Sequence, residues 1–173
     1  MNESIKAVHL AHTDGELSDV SAFGSGATAR AATFHRSLPT YEPTPLADLR
    51  RLSAVLGLSR LAVKDESGRF GLNAFKGLGT SYAVARYLAQ YLGLAESEMT
   101  YENLTKPEYR DRLRKVTLVT ATDGNHGRGI AWAAKLFGLF AHVFMPKGSS
   151  TERLANIRGL GAEASFTTYN YDD

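Results

Sequence analysis

Apolar positions along this chain follow two rhythms. Phe75, Leu78, Tyr82, Ala85, Ala89 and Leu92 recur at steps of three and four, the spacing that lines up side chains on one helical face. That seam predicts an amphipathic helix closing at Gly93. From Val116 onward the pattern becomes short apolar runs punctuated by glycine. Residues 116–121, 141–145 and 162–167 read as strands, the second closed by Pro146, and residues 126–138 as a helix ending at Gly138. Ser149 with Glu152 three residues on forms a capping box, opening a helix that stops near Gly161. Strands alternating with short helices predict an α/β fold: a parallel sheet with flanking helices and right-handed crossovers.

The first half is less regular. Residues 1–34, rich in Ala, Ser, Gly and Thr, read as a mostly irregular N-terminal arm with room for one short helix. Pro39, Pro43 and Pro45 impose an extended path, because proline also pushes its predecessor out of the helical region. Residues 46–58 then read as a helix ending at Gly57, and residues 61–64 as a strand followed by a polar turn from Asp65 to Arg69. Residues 95–115 form a charged connecting segment, helical near its end, whose basic run from Arg110 to Lys115 reads as a solvated face rather than a phosphate patch. The sequence stops at Asp173, where the next helix is due. A parallel strand normally has both faces covered, so the expectation is an N-terminal portion of a longer chain.

Composition removes several classes of function. At 173 residues and 43% hydrophobic, the chain can build one ordinary core. Twenty basic against eighteen acidic residues give no electrostatic ground for a nucleic-acid or membrane-surface partner. The absence of cysteine excludes disulfides and thiolate metal sites, and the five histidines lack a paired spacing that would suggest a metal. No apolar run approaches the ~18 residues of a membrane span, and the start lacks the basic-then-apolar order of a signal peptide. The expectation is a cytoplasmic protein.

Two segments carry chemistry. Gly71-Leu72-Asn73-Ala74-Phe75-Lys76-Gly77-Leu78-Gly79 sets a lysine in a turn entering a helix. Glycines there let a flat ligand approach the backbone, at about 1 kcal/mol of helix propensity each, and a first-turn lysine opposes the helix dipole. Taken alone, a solvent-exposed lysine beside a glycine-rich turn is the plainer reading. The second segment, Thr120-Ala121-Thr122-Asp123-Gly124-Asn125-His126-Gly127-Arg128-Gly129, joins a strand to a helix whose free N–H groups can bind an anion. A dinucleotide-binding G-x-G-x-x-G is rejected because Trp132 occupies its third glycine position. A turn in which Asp123 only caps the helix remains open.

Together the segments resemble the tryptophan-synthase-β-like (fold-type II) pyridoxal-phosphate (PLP) enzymes. Pro43-Thr44-Pro45-Leu46 adds to the likeness. Asp65-Glu66-Ser67, Met145-Pro146-Lys147-Gly148 and Tyr169-Asn170-Tyr171-Asp172-Asp173 bring it closest to the ammonia-lyases of that family that act on 2,3-diaminopropionate. The resemblance implies a large-domain portion over residues 35–94, a connection over 95–115 and truncated βα repeats of the small domain over 116–173. It implies that Lys76 carries PLP as a Schiff base, that Asn125 contacts its phenolic oxygen, and that Thr122, Asp123, Gly124 and His126 meet an amino-acid substrate. Asp123 stands where many relatives have serine, and a carboxylate there favours the ammonium on the β-carbon of 2,3-diaminopropionate.

The implied reaction is an α,β-elimination to pyruvate and ammonia, with Lys76 as base on one face and Asp123 as acid/base on the other, in a homodimer when complete. The phosphate-binding loop, the partner of the pyridine nitrogen and a second catalytic aspartate are expected outside these residues. A threonine or serine dehydratase, a cysteine-synthase-like enzyme and a non-catalytic remnant stand as alternatives.

Overall fold

The computed structural model describes residues 23–170. Helix α1 (Ser25–Ser37) comes first. It is longer than the expected short helix, and the physical reason is its composition. Ala27, Ala29, Ala31 and Ala32 favour helix, and Phe34, 1% exposed, anchors it in the core. Residues 1–22, the remainder of the expected arm, lie outside the described residues.

The extended path set by the prolines runs further than expected. Leu46–Asp48 is strand β1, not helix, and α2 is confined to Arg50–Val55. β1 pairs antiparallel with β2 (Ala62–Lys64), Leu46 opposite Lys64. Pro45 starts this ladder, and its carbonyl accepts from the Asp65 amide at 2.9 Å. Cross-strand pairing thus supplies the backbone partners that a helix over 46–48 would have supplied internally.

After a 3₁₀ turn at Arg69–Gly71, helix α3 (Lys76–Leu92) ends at Gly93, which takes the left-handed conformation (φ 78°) of a helix C-cap. Its length matches the apolar seam, but its buried face is rotated from it. Gly77, Thr80, Ser81, Val84, Ala85, Leu88, Ala89 and Leu92 are buried, whereas Phe75 is 62% exposed. Small residues line that face because another helix packs closely on it. Two four-residue helices, α4 (Tyr101–Leu104) and α5 (Arg110–Leu113), bridge to the sheet. Leu113 is buried while Arg110, Arg112, Arg114 and Lys115 stay exposed, so the basic run is a solvated face.

The sheet is parallel in the order β3 (Thr117–Ala121), β4 (Phe140–Met145), β5 (Glu163–Phe166). Helices α6 (Asn125–Phe137) and α7 (Thr151–Arg158) connect the strands. Ala141, Val143 and Met145 face inward from β4, and Ile157 of α7 is fully buried with them. The α7 cap is Ser150, whose Oγ accepts from the Glu152 amide at 3.2 Å. It lies one residue after the expected Ser149, whose own amide closes a turn onto Pro146 O. The result is the expected α/β fold with a parallel sheet and flanking helices, plus the separate β1–β2 pair.

Candidate active site

Lys76 is the first residue of α3, and the chain reaches it through an unusual backbone. Phe70 (φ 53°), Gly71 (φ 69°) and Asn73 (φ 55°) are all left-handed. That conformation is uncommon for a bulky residue such as Phe70. Two close approaches then fix the lysine main chain. A Cβ on Gly77 would stand 3.0 Å from Leu72 Cδ1 and from Phe70 Cδ2. A Cβ on Gly129 of α6 would stand 3.1 Å from Thr80 Oγ1 and 3.5 Å from the carbonyl carbon and oxygen of Lys76. Gly129 therefore lets α6 lie almost directly on the backbone of Lys76. Trp132, one turn further along α6, stacks on Phe70 with ring centroids 4.4 Å apart.

This packing leaves a cleft of about 400 Å³ between the starts of α3 and α6. Lys76 and His126 line it together, with Phe75, Leu78, Val84 and Ile130 as apolar walls. Gly79 also faces the cleft, with nothing within 4 Å of where its Cβ would be.

The loop from β3 to α6 is arranged differently from a simple capped turn. Gly124 is the N-cap, and no side chain caps the helix. Asp123 instead turns to α7, where Arg153 Nη1 donates to its carboxylate at 3.2 Å and to its carbonyl at 3.4 Å. The first N–H groups of α6 are left without a side-chain acceptor, the state in which a helix start receives an anion. Thr122 is buried, and its Cγ2 lies 2.9 Å from where a Gly127 Cβ would stand. Asn125 and His126 open the helix with exposed side chains. Of the six expected site residues, then, Lys76 and His126 share the cleft lining, Gly124 and Asn125 form the helix start, and Thr122 and Asp123 lie on the sheet and α7 sides.

A further set of residues escaped sequence reasoning. Arg69 is 4% exposed. Its Nε and Nη2 donate to the two carboxylate oxygens of Glu66 at 2.7 and 3.0 Å, Nη1 donates to the carbonyl of Glu42 at 2.7 Å, and Nη2 donates to Thr44 Oγ1 at 2.8 Å. Thr44 in turn donates to Glu66 at 2.5 Å, and Lys64 Nζ reaches the Thr44 carbonyl. The rings of Tyr41 and Phe70 each lie 5.5 Å from the guanidinium carbon. The Arg69 guanidinium, with help from Thr44, holds the Glu66 carboxyl down at about 2. Nearby, burial pushes the His35 imidazole below its usual range while its Nε2 bonds to Leu78 O at 2.9 Å. Thr44 and Glu66 were visible in the sequence only as parts of motifs. Nothing in the spacing showed that one buried arginine joins them.

The described residues thus form a parallel α/β unit in which an exposed lysine lines an apolar cleft beside an uncapped helix start. The chain belongs to the pyridoxal-phosphate-dependent enzyme family, which it matches over residues 38–173. Among curated relatives it is 55% identical, over 81% of its length, to diaminopropionate ammonia-lyase of Salmonella typhimurium. Among solved structures it is similar to the apo form of Escherichia coli diaminopropionate ammonia lyase, with TM-score 0.81 and 44% identity over 88% of the chain. It is similar also to that enzyme in complex with an aminoacrylate–PLP azomethine reaction intermediate, with TM-score 0.78 over 88% of the chain. The chain spans 35% of the Salmonella protein and 41% of the apo E. coli chain.

Proposed function

We propose that this chain supplies the lysine-bearing part of a PLP-dependent lyase that converts 2,3-diaminopropionate and water to pyruvate and two molecules of ammonia. The observation that carries the reading is the 55% identity to a diaminopropionate ammonia-lyase across 140 residues. The cleft supports it. Lys76 lines a space of about 400 Å³ with apolar walls, suited to a flat pyridine ring. On the neighbouring first turn of α6, Arg128 Nε is buried with no hydrogen-bond partner among the described residues. The lysine, the apolar walls and the uncapped start of α6 fit a flat anionic cofactor.

Lys76 Nζ would hold PLP covalently, and Asn125 would donate to its phenolic oxygen. When bound, PLP supplies the electron sink for removing the α-proton. Lys76, released by the incoming substrate amine, takes that proton on one face, and Asp123 serves the opposite face. The uncapped start of α6, with Thr122, Gly124 and His126, receives the substrate carboxylate. The complete protein would act as a homodimer in the cytoplasm.

The test is reductive trapping. Borohydride treatment of the complete protein with PLP should fix the cofactor on the peptide holding Lys76, and the same protein should release pyruvate and ammonia from 2,3-diaminopropionate. Label on Lys64 or Lys135 in place of Lys76 would remove the assignment.

A further inference from the structure

We infer that Arg69 is a positioning residue for Lys76: its buried guanidinium locks the left-handed segment that delivers the lysine to the cleft. The inference rests on Lys76 being the cofactor lysine. Arg69 is not itself a ligand-binding group. Its Nε, Nη1 and Nη2 are all engaged with Glu66, Glu42 and Thr44, and its side chain is 4% exposed.

Its effect is transmitted through backbone. Arg69 opens the 3₁₀ turn whose next residue, Phe70, holds φ at 53°. A phenylalanine keeps that conformation only when its surroundings over-determine it. Here the constraint acts on both sides. Before Phe70, the guanidinium is pinned to the Glu42–Thr44 stretch and to Glu66. Beyond the backbone, the Phe70 ring is stacked on Trp132 and touches the space at Gly77, the residue after Lys76. Release the guanidinium, and Phe70 can relax toward negative φ, withdrawing its ring from Gly77 and Trp132. The packing around the Lys76 main chain would then rest on Leu72 at Gly77 and on Gly129, without the aromatic ring. A lysine cannot replace the arginine, because the planar fork makes two bonds to Glu66 while still reaching Glu42 and Thr44.

The experiment uses Arg69→Lys and the milder Thr44→Val in the complete PLP-loaded enzyme. Thr44→Val keeps the shape and removes one acceptor for Arg69 and one donor to Glu66. Four quantities are read: the melting temperature, the affinity for PLP, the pH midpoint of the bound cofactor's visible absorption, and kcat with KM. A residue that only stabilises the fold would lower the melting temperature alone. A positioning residue should also move the absorption midpoint, weaken PLP binding several-fold and lower kcat by ~10–10²-fold with little change in KM, since about 1 Å of misplacement can cost ~10²-fold.

Should Arg69→Lys fail to fold, Thr44→Val carries the test. Folded variants with the unmodified enzyme's PLP affinity, absorption midpoint and kcat would overturn the inference. Borohydride labelling of the unmodified enzyme separates the two ideas. Label on Lys76 with unshifted variants refutes the role of Arg69 alone. Label elsewhere refutes the lysine assignment and the inference with it.

Discussion

Among single residues, Asp123 is the one whose role the structure redraws most. Its carboxylate is half-exposed and pairs with Arg153 at 3.2 Å, so it neither caps α6 nor sits free in the cleft. If it serves as acid/base for one face of the substrate, Asp123→Asn in the complete enzyme should cost ~10²–10⁴-fold in turnover of D-2,3-diaminopropionate. The L-isomer should suffer less, because Lys76 still serves its face. Equal, small losses for both isomers would make Asp123 only the partner of Arg153. The candidate lysine and loop residues stand out in the sequence because their types and neighbours form contiguous motifs. Arg69 does not, because its partners stand 3, 25 and 27 residues away and a buried arginine leaves no mark in hydrophobic periodicity.

At the level of elements, Gly129 lets α6 approach α3, Gly127 lets α6 approach the sheet and α7, and Gly79 leaves the cleft open. At Gly127 an added Cβ would lie 2.9, 3.0 and 3.1 Å from Thr122, Val143 and Ile157 side chains. At Gly79, within α3, nothing lies within 4 Å. Both changes to alanine gain about 1 kcal/mol of helix propensity, but only Gly127→Ala also suffers overpacking, typically about 1–3 kcal/mol. Gly79→Ala should therefore raise stability in urea unfolding and at the same time weaken PLP binding, since its methyl enters the cleft. Gly127→Ala should lower stability, and a stabilised Gly127→Ala would show that the sheet and α7 can move aside.

Element type was largely readable in the second half, where glycine and proline punctuate each strand and helix. The errors have local causes. Residues 46–48 look helical by composition but are held extended by Pro45 and cross-strand pairing. The apolar seam of α3 runs through Phe75, whereas close packing against α6 selects the small face at Gly77, Thr80 and Ser81.

At the scale of the whole molecule, the sheet has two unlike faces. Ala141, Val143 and Met145 point into the core. Successive side chains of a strand alternate faces, so Phe140, His142 and Phe144 point the other way. Val119, level with His142 in the parallel register, shares that side. Phe140 is 61% and Val119 62% exposed, and the His142 and Phe144 rings stack 4.2 Å apart on the same side. On this face His142 Nδ1 also lies 3.4 Å from a carboxylate oxygen of Glu163. β3 also ends the sheet order, leaving its outer edge unpaired among the described residues. An apolar face joined to an open edge is a site for association. A polypeptide of these 173 residues, expressed alone, should therefore self-associate, with a sedimentation mass that rises with concentration and a bound hydrophobic dye. The double change Val119→Lys and Phe140→Glu leaves the helix-covered face untouched and places charge on the open one. It should return the polypeptide to a monomer with the same circular dichroism. A parent chain that stays monomeric at all concentrations, or a double variant that associates as strongly as the parent, would show that this face does not drive association.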